Sequence, residues 1–291
     1  MTDVTIVIPT RERPDYLRAT LHSVLASSAE AHLHGITTRI LVIDDASPTD
    51  STRLLAEELA VDYHRIAVHD GRNNPASAIA TGVGLVDSRF YSVFGDDDIM
   101  LSRYIVAQVA ELEAGHDVCT ASFIRTDAEL RPVREVTLPE PALGDLLAGR
   151  MTINDGAMTR TELVRNLPWD PDLDQVIFYP IWLELLIGGA RFSRLVEPLF
   201  LYRRHDANVS DHLGERDAGL RAQVRDHYAA LVQARDGAIP SPTTTPTVTP
   251  AATASLPAGA PRAARPGAVR PLWRRVAARG RAWARARTAG R

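Results

Sequence analysis

The sequence predicts an α/β fold, a mostly parallel sheet flanked by helices, on three observations. Apolar, β-branched runs alternate with helically spaced segments four times within about 110 residues. Each of those runs ends in a polar cluster. After Cys119 the alternation gives way to a mixed pattern of strands and helices.

The elements follow in order. Residues 4–8 are an unbroken apolar and β-branched run closed by Pro9, the mark of a strand buried on both faces. Residues 14–26 place Leu17, Leu21, Val24 and Leu25 on one helical face. Residues 39–43 read as a second buried strand, closed by Asp44 and Asp45. A helix is predicted over 51–59, with Ser47, Asp50 or Ser51 as its cap. A short third strand is expected at 66–68, a helix at 76–86 and a fourth strand at 90–94. That strand runs into Gly95, Asp96, Asp97 and Asp98, and a helix follows at 102–113. Beyond Cys119, strands are expected at 118–124, 133–137 and 195–203. Helices are expected at 143–149, 161–167, 181–187 and 216–235.

Charge divides the chain. All 36 acidic residues lie at or before Asp236, where 23 arginines leave a net charge of −13; the remaining ten arginines follow without an acid. Residues 237–268 hold seven prolines among Thr and Ala and read as a disordered linker. The predicted organisation is therefore a domain over 1–236, divided near 115, then the linker and a basic tail over 269–291. On a helix the tail gathers Leu272, Trp273, Val276, Ala277 and Trp283 on one arc, with arginines largely opposite. This pattern suits an anionic membrane surface, although Gly280 weakens the helix and a partnerless tail fits equally. The acidic domain shows no basic patch, which argues against nucleic acid as a partner.

The composition excludes several chemistries. Every basic residue is arginine, so neither a lysine Schiff base nor a P-loop lysine can form. A single cysteine permits no internal disulfide and no thiolate metal site, and fits a reducing compartment. No leader is expected before the first strand. The longest apolar region, 177–190, is too short to span a bilayer and contains Glu184. Together these predict a cytoplasmic protein, with peripheral contact at the inner face of a membrane if the tail binds lipid.

In a sheet of this type ligands bind at the carboxyl ends of the strands. The clusters fall there: residues 10–13, Asp44 with Asp45, residues 72–74 and residues 96–98. Three adjacent carboxylates repel one another unless a hard cation relieves them. Mg²⁺ or Mn²⁺ takes one or two carboxylates and completes its shell with water and phosphate oxygens. Of Asp44 and Asp45, one can accept from a base N–H while the other orders the loop; an Asx turn capping the next helix is the alternative.

The segments 4–14, 42–52, 72–78 and 94–98, in this order, resemble the family 2 glycosyltransferases of the GT-A fold. The resemblance covers residues 3–115 well and 150–210 loosely. It implies an inverting transfer from a nucleoside-diphosphate sugar, UDP- or dTDP-linked, to a glycan or lipid-linked hydroxyl in cell-envelope or polysaccharide synthesis. Pro9, Thr10, Arg13, Asp44, Asp45 and Arg72 are then expected on the nucleotide. Asp96 and Asp98, with Asp97 between, are expected on the metal and ribose. The segment 197–205 looks like the family strand that ends Tyr-Arg-x-His, which places Arg203 at the diphosphate and His205 at the metal. The family's acidic pair before its helical Trp, here Trp182, falls on Ile177 and Phe178. Asp174 is the expected base, Asp155 its rival, with Asp172 and Glu184 nearby. Two other readings compete. A nucleotidylyltransferase would need a Gly-rich loop and lysine after the first strand, and residues 9–13 have neither. A non-catalytic GT-A binder would account for the missing acidic pair.

Overall fold

The computed structural model describes residues 2–68, 71, 75–153, 156–167, 169–206, 208 and 215–236. Arg72, Asp155, the linker 237–268 and the tail 269–291 lie outside the described residues.

Among the described residues, nine strands form one sheet. An inner strand of its parallel half is β1 (Val4–Thr10), buried along all seven residues. Parallel neighbours lie on both sides: β2 (Thr38–Asp44) pairs Val4 with Thr38 through Thr10 with Asp44, and β4 (Phe90–Val93) pairs Val4 with Phe90. The outer strand β3 (Asp62–Arg65) is parallel to β2. The second half is mixed. Strand β8 (Met158–Arg160) runs antiparallel to β4 and to β6 (Val118–Thr126). Strand β9 (Phe192–Arg203) lies parallel to β6, and β5 (Ile99–Met100) antiparallel to β9. A hairpin strand, β7 (Pro132–Val136), extends from β6. The predicted architecture thus holds: a parallel first half, then a mixed one.

Side-chain alternation along β1 divides the interior. Val4, Ile6 and Ile8 join one core with Leu17, Leu21 and Val24 of α1 (Pro14–Leu33), Leu55 of α2 (Ser51–Glu58) and Ile105 and Leu112 of α4 (Tyr104–Glu113). Val7 faces the other core. Its members include Ile79 and Val83 of α3 (Ala76–Gly84) and Leu146 of α5 (Leu143–Leu147). Val164 of α6 (Thr161–Val164), Trp182 of α7 (Phe178–Ile187) and Tyr228 of α8 (Glu215–Asp236) complete it.

Helix α3 lies so close to the sheet that only glycine fits at position 82. A Cβ there would stand 2.4 Å from Val7 Cγ1 and 3.0 Å from Ile43 Cγ1. Gly82→Ala gains helix propensity but overpacks this contact; a net destabilisation of about 1–3 kcal/mol is expected, read as a fall of several degrees in thermal midpoint.

The structure corrects several expectations. The third strand is Asp62–Arg65, not 66–68: four polar or half-buried residues complete the β2 ladder, and the apolar Val68 is exposed. Periodicity misses a polar edge strand because it has no apolar face to show. Helix α1 runs on to Leu33, burying Ser27 and Ala31. Asp50 occupies the cap position of α2 but makes no side-chain capping bond. The short strands β5 and β8 and a 3-10 turn at Pro171–Val176 carry no periodic signal. Cys119 is buried, and burial pushes its thiol up to about 12, which leaves it unreactive. Among the described residues, no helix is long and apolar enough to cross a membrane.

Candidate active site

Parallel pairing brings the ends of β1, β2 and β4 to one rim. Thr10 and Asp44 are register partners, and the Asp45 N–H donates to the Thr10 carbonyl (2.9 Å). The two rim loops are tied together. The Glu12 N–H donates to Ser47 Oγ (3.1 Å), Thr49 Oγ1 donates to Glu12 Oε1 (2.8 Å), and Arg11 Nη1 donates to the Asp45 carbonyl (2.5 Å). Glu12 and Ala46 both hold φ near +50°, a left-handed conformation that costs energy without glycine and is kept only where neighbours impose it.

The aspartate pair divides its roles. Asp44 is fully buried and gives both oxygens to the protein: the Ser47 N–H donates to Oδ1 (2.8 Å) and Tyr63 Oη to Oδ2 (2.7 Å). It orders the loop. Asp45 lies buried beside it, next to Arg11. Pro9, opposite Ile43, is part of the buried strand beneath.

Asp96, Asp97 and Asp98 are all buried. Asp96 Oδ2 accepts from Thr10 Oγ1 (2.7 Å) and Oδ1 from Arg13 Nη1 (3.3 Å). Asp97 Oδ2 accepts from Arg13 Nη1 (3.2 Å) and lies 2.9 Å from His205 Nε2. Asp98 Oδ1 accepts the Arg203 backbone N–H (2.9 Å), which fixes the end of β9 against the rim. Gly95 leaves open the space between Asp97 Oδ1 and Asp98 Oδ2: a Cβ there would stand 3.2 and 3.3 Å from them. The expected residues Thr10, Arg13, Asp96, Asp97, Asp98, Arg203 and His205 therefore meet in one cluster.

Burial, and then the like charge of Asp97, push the Asp96 carboxyl up to about 6, against the opposing pull of Arg13 and Thr10. The sign follows. A raised carboxyl stabilises the fold fully below its unfolded value near 3.8, and that stabilisation is lost as pH rises through about 6. Asp96→Asn is therefore expected to stabilise the ligand-free chain in EDTA at pH 7.5 by about 1–3 kcal/mol. The gain should shrink toward zero as the pH falls from 6 to 4, in thermal melts across that range.

The cluster suits a hard cation that shares its shell with a ligand. Among the described residues, no group of three or more His, Cys, Asp or Glu is arranged to hold a metal ion by itself. Mg²⁺ and Mn²⁺ require none when phosphate oxygens and water complete the shell. The oxygens facing the Gly95 space offer hard donors, with His205 alongside. Arg203 gives a second sign: it is 7% exposed, and its Nε has no hydrogen-bond partner among the described residues. A buried guanidinium donor left without an acceptor matches an anionic ligand.

Asp174 sits apart from these contacts, in the 3-10 turn, 6% exposed, with φ 50° and ψ −131°. Its Oδ2 lies 2.6 Å from Arg216 Nε of α8. The turn packs against α3 and α8. Ile177 and Phe178, where the family pattern puts acids, are core residues; Phe178 stacks on Trp182 at 5.8 Å. Glu184 accepts from Tyr228 Oη (2.8 Å), and burial raises its carboxyl, so it ties α7 to α8. Asp172 lies at the start of the turn, where its N–H donates to Asp170 Oδ1 (3.0 Å).

Sequence reading missed four supporting residues. Thr20 Oγ1 lies 2.9 and 2.7 Å from the Asp96 and Asp98 carbonyls, and Tyr63 locks Asp44. Tyr16 stacks on His205, and Asn208 Oδ1 accepts the His205 N–H (2.6 Å). The available signal was a polar residue on an apolar helix face at Thr20.

Solved structures share this fold. Staphylococcus aureus TarS, residues 1–349, superposes with a TM-score of 0.55 at 14% identity, over 81% of this chain and 73% of that one. The same fragment in complex with UDP-GlcNAc gives 0.56 at 14% identity, over 80% and 73%. Glucosyl-3-phosphoglycerate synthase from Mycobacterium tuberculosis, in complex with Mn²⁺, UDP-glucose and phosphoglyceric acid, gives 0.50 at 15% identity, over 82% of each chain. No curated protein sequence matches. The family description "Glycosyl transferase family 2" matches residues 5–166, more than half of the chain. The chain belongs to glycosyl transferase family 2.

Proposed function

We propose that the protein transfers a sugar, with inversion, from a UDP- or dTDP-sugar to an acceptor hydroxyl, with Mn²⁺ or Mg²⁺ at residues 96–98. The observation that carries this reading is the joining of three buried carboxylates to Arg13, His205 and Arg203, whose Nε has no partner among the described residues, at the rim of β1, β2 and β4. The neighbours named above, held with UDP-sugars and in one case Mn²⁺, support it.

In this proposal Asp45 accepts from the base N–H, since Asp44 is committed to its loop; Pro9 and Thr10 form the wall beside it. Arg72 meets the nucleotide. Asp98 and His205 keep their expected place at the cation, and Asp97 joins them. Asp96 spends its oxygens on Thr10 and Arg13, holding Arg13 toward the diphosphate. When bound, the divalent ion supplies charge neutralisation to the departing diphosphate. Arg13 and Arg203 add fixed positive charge in a site shielded from water, where it acts strongly. Asp174 takes the proton from the acceptor hydroxyl, which attacks the anomeric carbon opposite the leaving group. The strained backbone of a buried acid supports Asp174, because such strain concentrates at functional positions. Eight arginines with Trp273 and Trp283 and no acid over residues 269–291 support a tail that meets anionic lipid and a lipid-linked acceptor. Cell-envelope glycan synthesis is the matching role.

The test is UDP or dTDP release from a panel of their sugars, with Mn²⁺ and then EDTA. Metal-dependent release from one sugar supports the reading. Tight metal-dependent nucleotide binding without release or transfer on any acceptor favours the non-catalytic binder.

A further inference from the structure

We propose that Tyr16 is a positioning residue that sets His205 and Arg203 against the carboxylate cluster. Its ring lies flat on the His205 imidazole, with centroids 4.5 Å apart and planes 13° apart. The same ring receives Arg203, whose Cζ is 5.0 Å from its centroid. One side chain thus contacts both residues that β9 delivers to the site. The His205 side chain is only 4% exposed, so the stack confines a ring with little other freedom.

The helix beneath makes this contact rigid. Tyr16, Thr20 and Ser23 stand at i, i+4 and i+7, one stripe on α1. Thr20 Oγ1 meets the Asp96 and Asp98 carbonyls, and Ser23 Oγ accepts the Met100 N–H (2.9 Å). The first turn of α1 therefore holds the side chains at the end of β9, while the next turns hold the backbone of residues 96–100. Asn208 closes the far side: its Oδ1 accepts the His205 N–H, and its Nδ2 donates to the Arg203 carbonyl (3.0 Å). Removing the ring from position 16 frees His205 to turn away from Asp97 Oδ2 and leaves the Arg203 guanidinium without its aromatic face.

The catalytic consequence rests on the proposed function; the positioning does not. The experiment compares Tyr16→Leu, which keeps apolar bulk without a π face, with Tyr16→Phe, which keeps the ring. The first readout is the His205 imidazole resonance in the full chain, assigned with His205→Gln. The second is nucleotide release from the active UDP- or dTDP-sugar, resolved into kcat and KM. In Tyr16→Leu the ring-current shift at His205 is expected to disappear and kcat to fall at least tenfold with KM changed less than threefold. Tyr16→Phe restores both, and the thermal midpoint of each variant stays close to that of the natural chain. A His205 resonance unmoved by Tyr16→Leu overturns the positioning, as does Tyr16→Phe behaving like Tyr16→Leu. Loss of the shift with kcat unchanged overturns its catalytic relevance. A natural chain that releases neither UDP nor dTDP while Tyr16→Leu still moves His205 sinks the proposed function and leaves the positioning standing.

Discussion

Asp97→Asn combined with Asp98→Asn is expected to lower sugar transfer by about a thousandfold or more, roughly 4 kcal/mol in transition-state stabilisation. Both substitutions keep side-chain shape and remove two charges. Asp97 loses its attraction for Arg13 and His205, which approach Oδ2 at 3.2 and 2.9 Å. The oxygens facing the Gly95 space lose the negative charge that a hard cation requires. Asp98 also anchors the Arg203 N–H, and an asparagine oxygen can still accept that bond. The fold should survive, because two buried like charges beside Asp96 are removed. Circular dichroism and a thermal melt verify folding; a radiolabelled-sugar assay measures the loss. Transfer within tenfold of the natural chain would place the chemistry elsewhere.

Asp174→Asn is expected to lower kcat by about 10²–10⁴, the range for removing a general base, with donor affinity unchanged. The substitution keeps the side chain's size and branching, so the turn at φ 50° and ψ −131° receives a near-isosteric residue. Arg216 loses its charged partner at 2.6 Å, but its side chain is largely exposed, so water replaces the pair at small cost. The check is steady-state kinetics beside donor titration. Full kcat in Asp174→Asn transfers the role of base to another carboxylate, with Asp155 first in line.

Strands β1, β2 and β4 of the parallel half were legible because they are buried and read as unbroken apolar runs. Their polar ends mark the rim, so Thr10, Asp44, Asp45 and residues 96–98 were visible before any coordinates. What escaped was structure made by partners distant in sequence. Strand β3 is polar and exists because β2 offers an open edge. Strands β5 and β8 are too short for any period. The turn around Asp174 depends on a positive-φ residue that is not glycine, which no local pattern announces. The division between Asp44 and Asp45 rests on Tyr63, nineteen residues away. Asp97, expected among the donor-binding residues between the two metal ligands, is the carboxylate that meets His205, a contact across 108 residues that the sequence does not show.

Calorimetric titration of the full chain with UDP, dTDP and GDP, in Mn²⁺ and then in EDTA, tests the central claim most directly. The account predicts that UDP or dTDP binds in Mn²⁺ and is lost in EDTA, and that GDP binds far more weakly. It also predicts that Asp97→Asn with Asp98→Asn removes the Mn²⁺-dependent heat. Absence of binding by all three nucleotides under every metal condition would contradict it, as would equal binding with and without the metal.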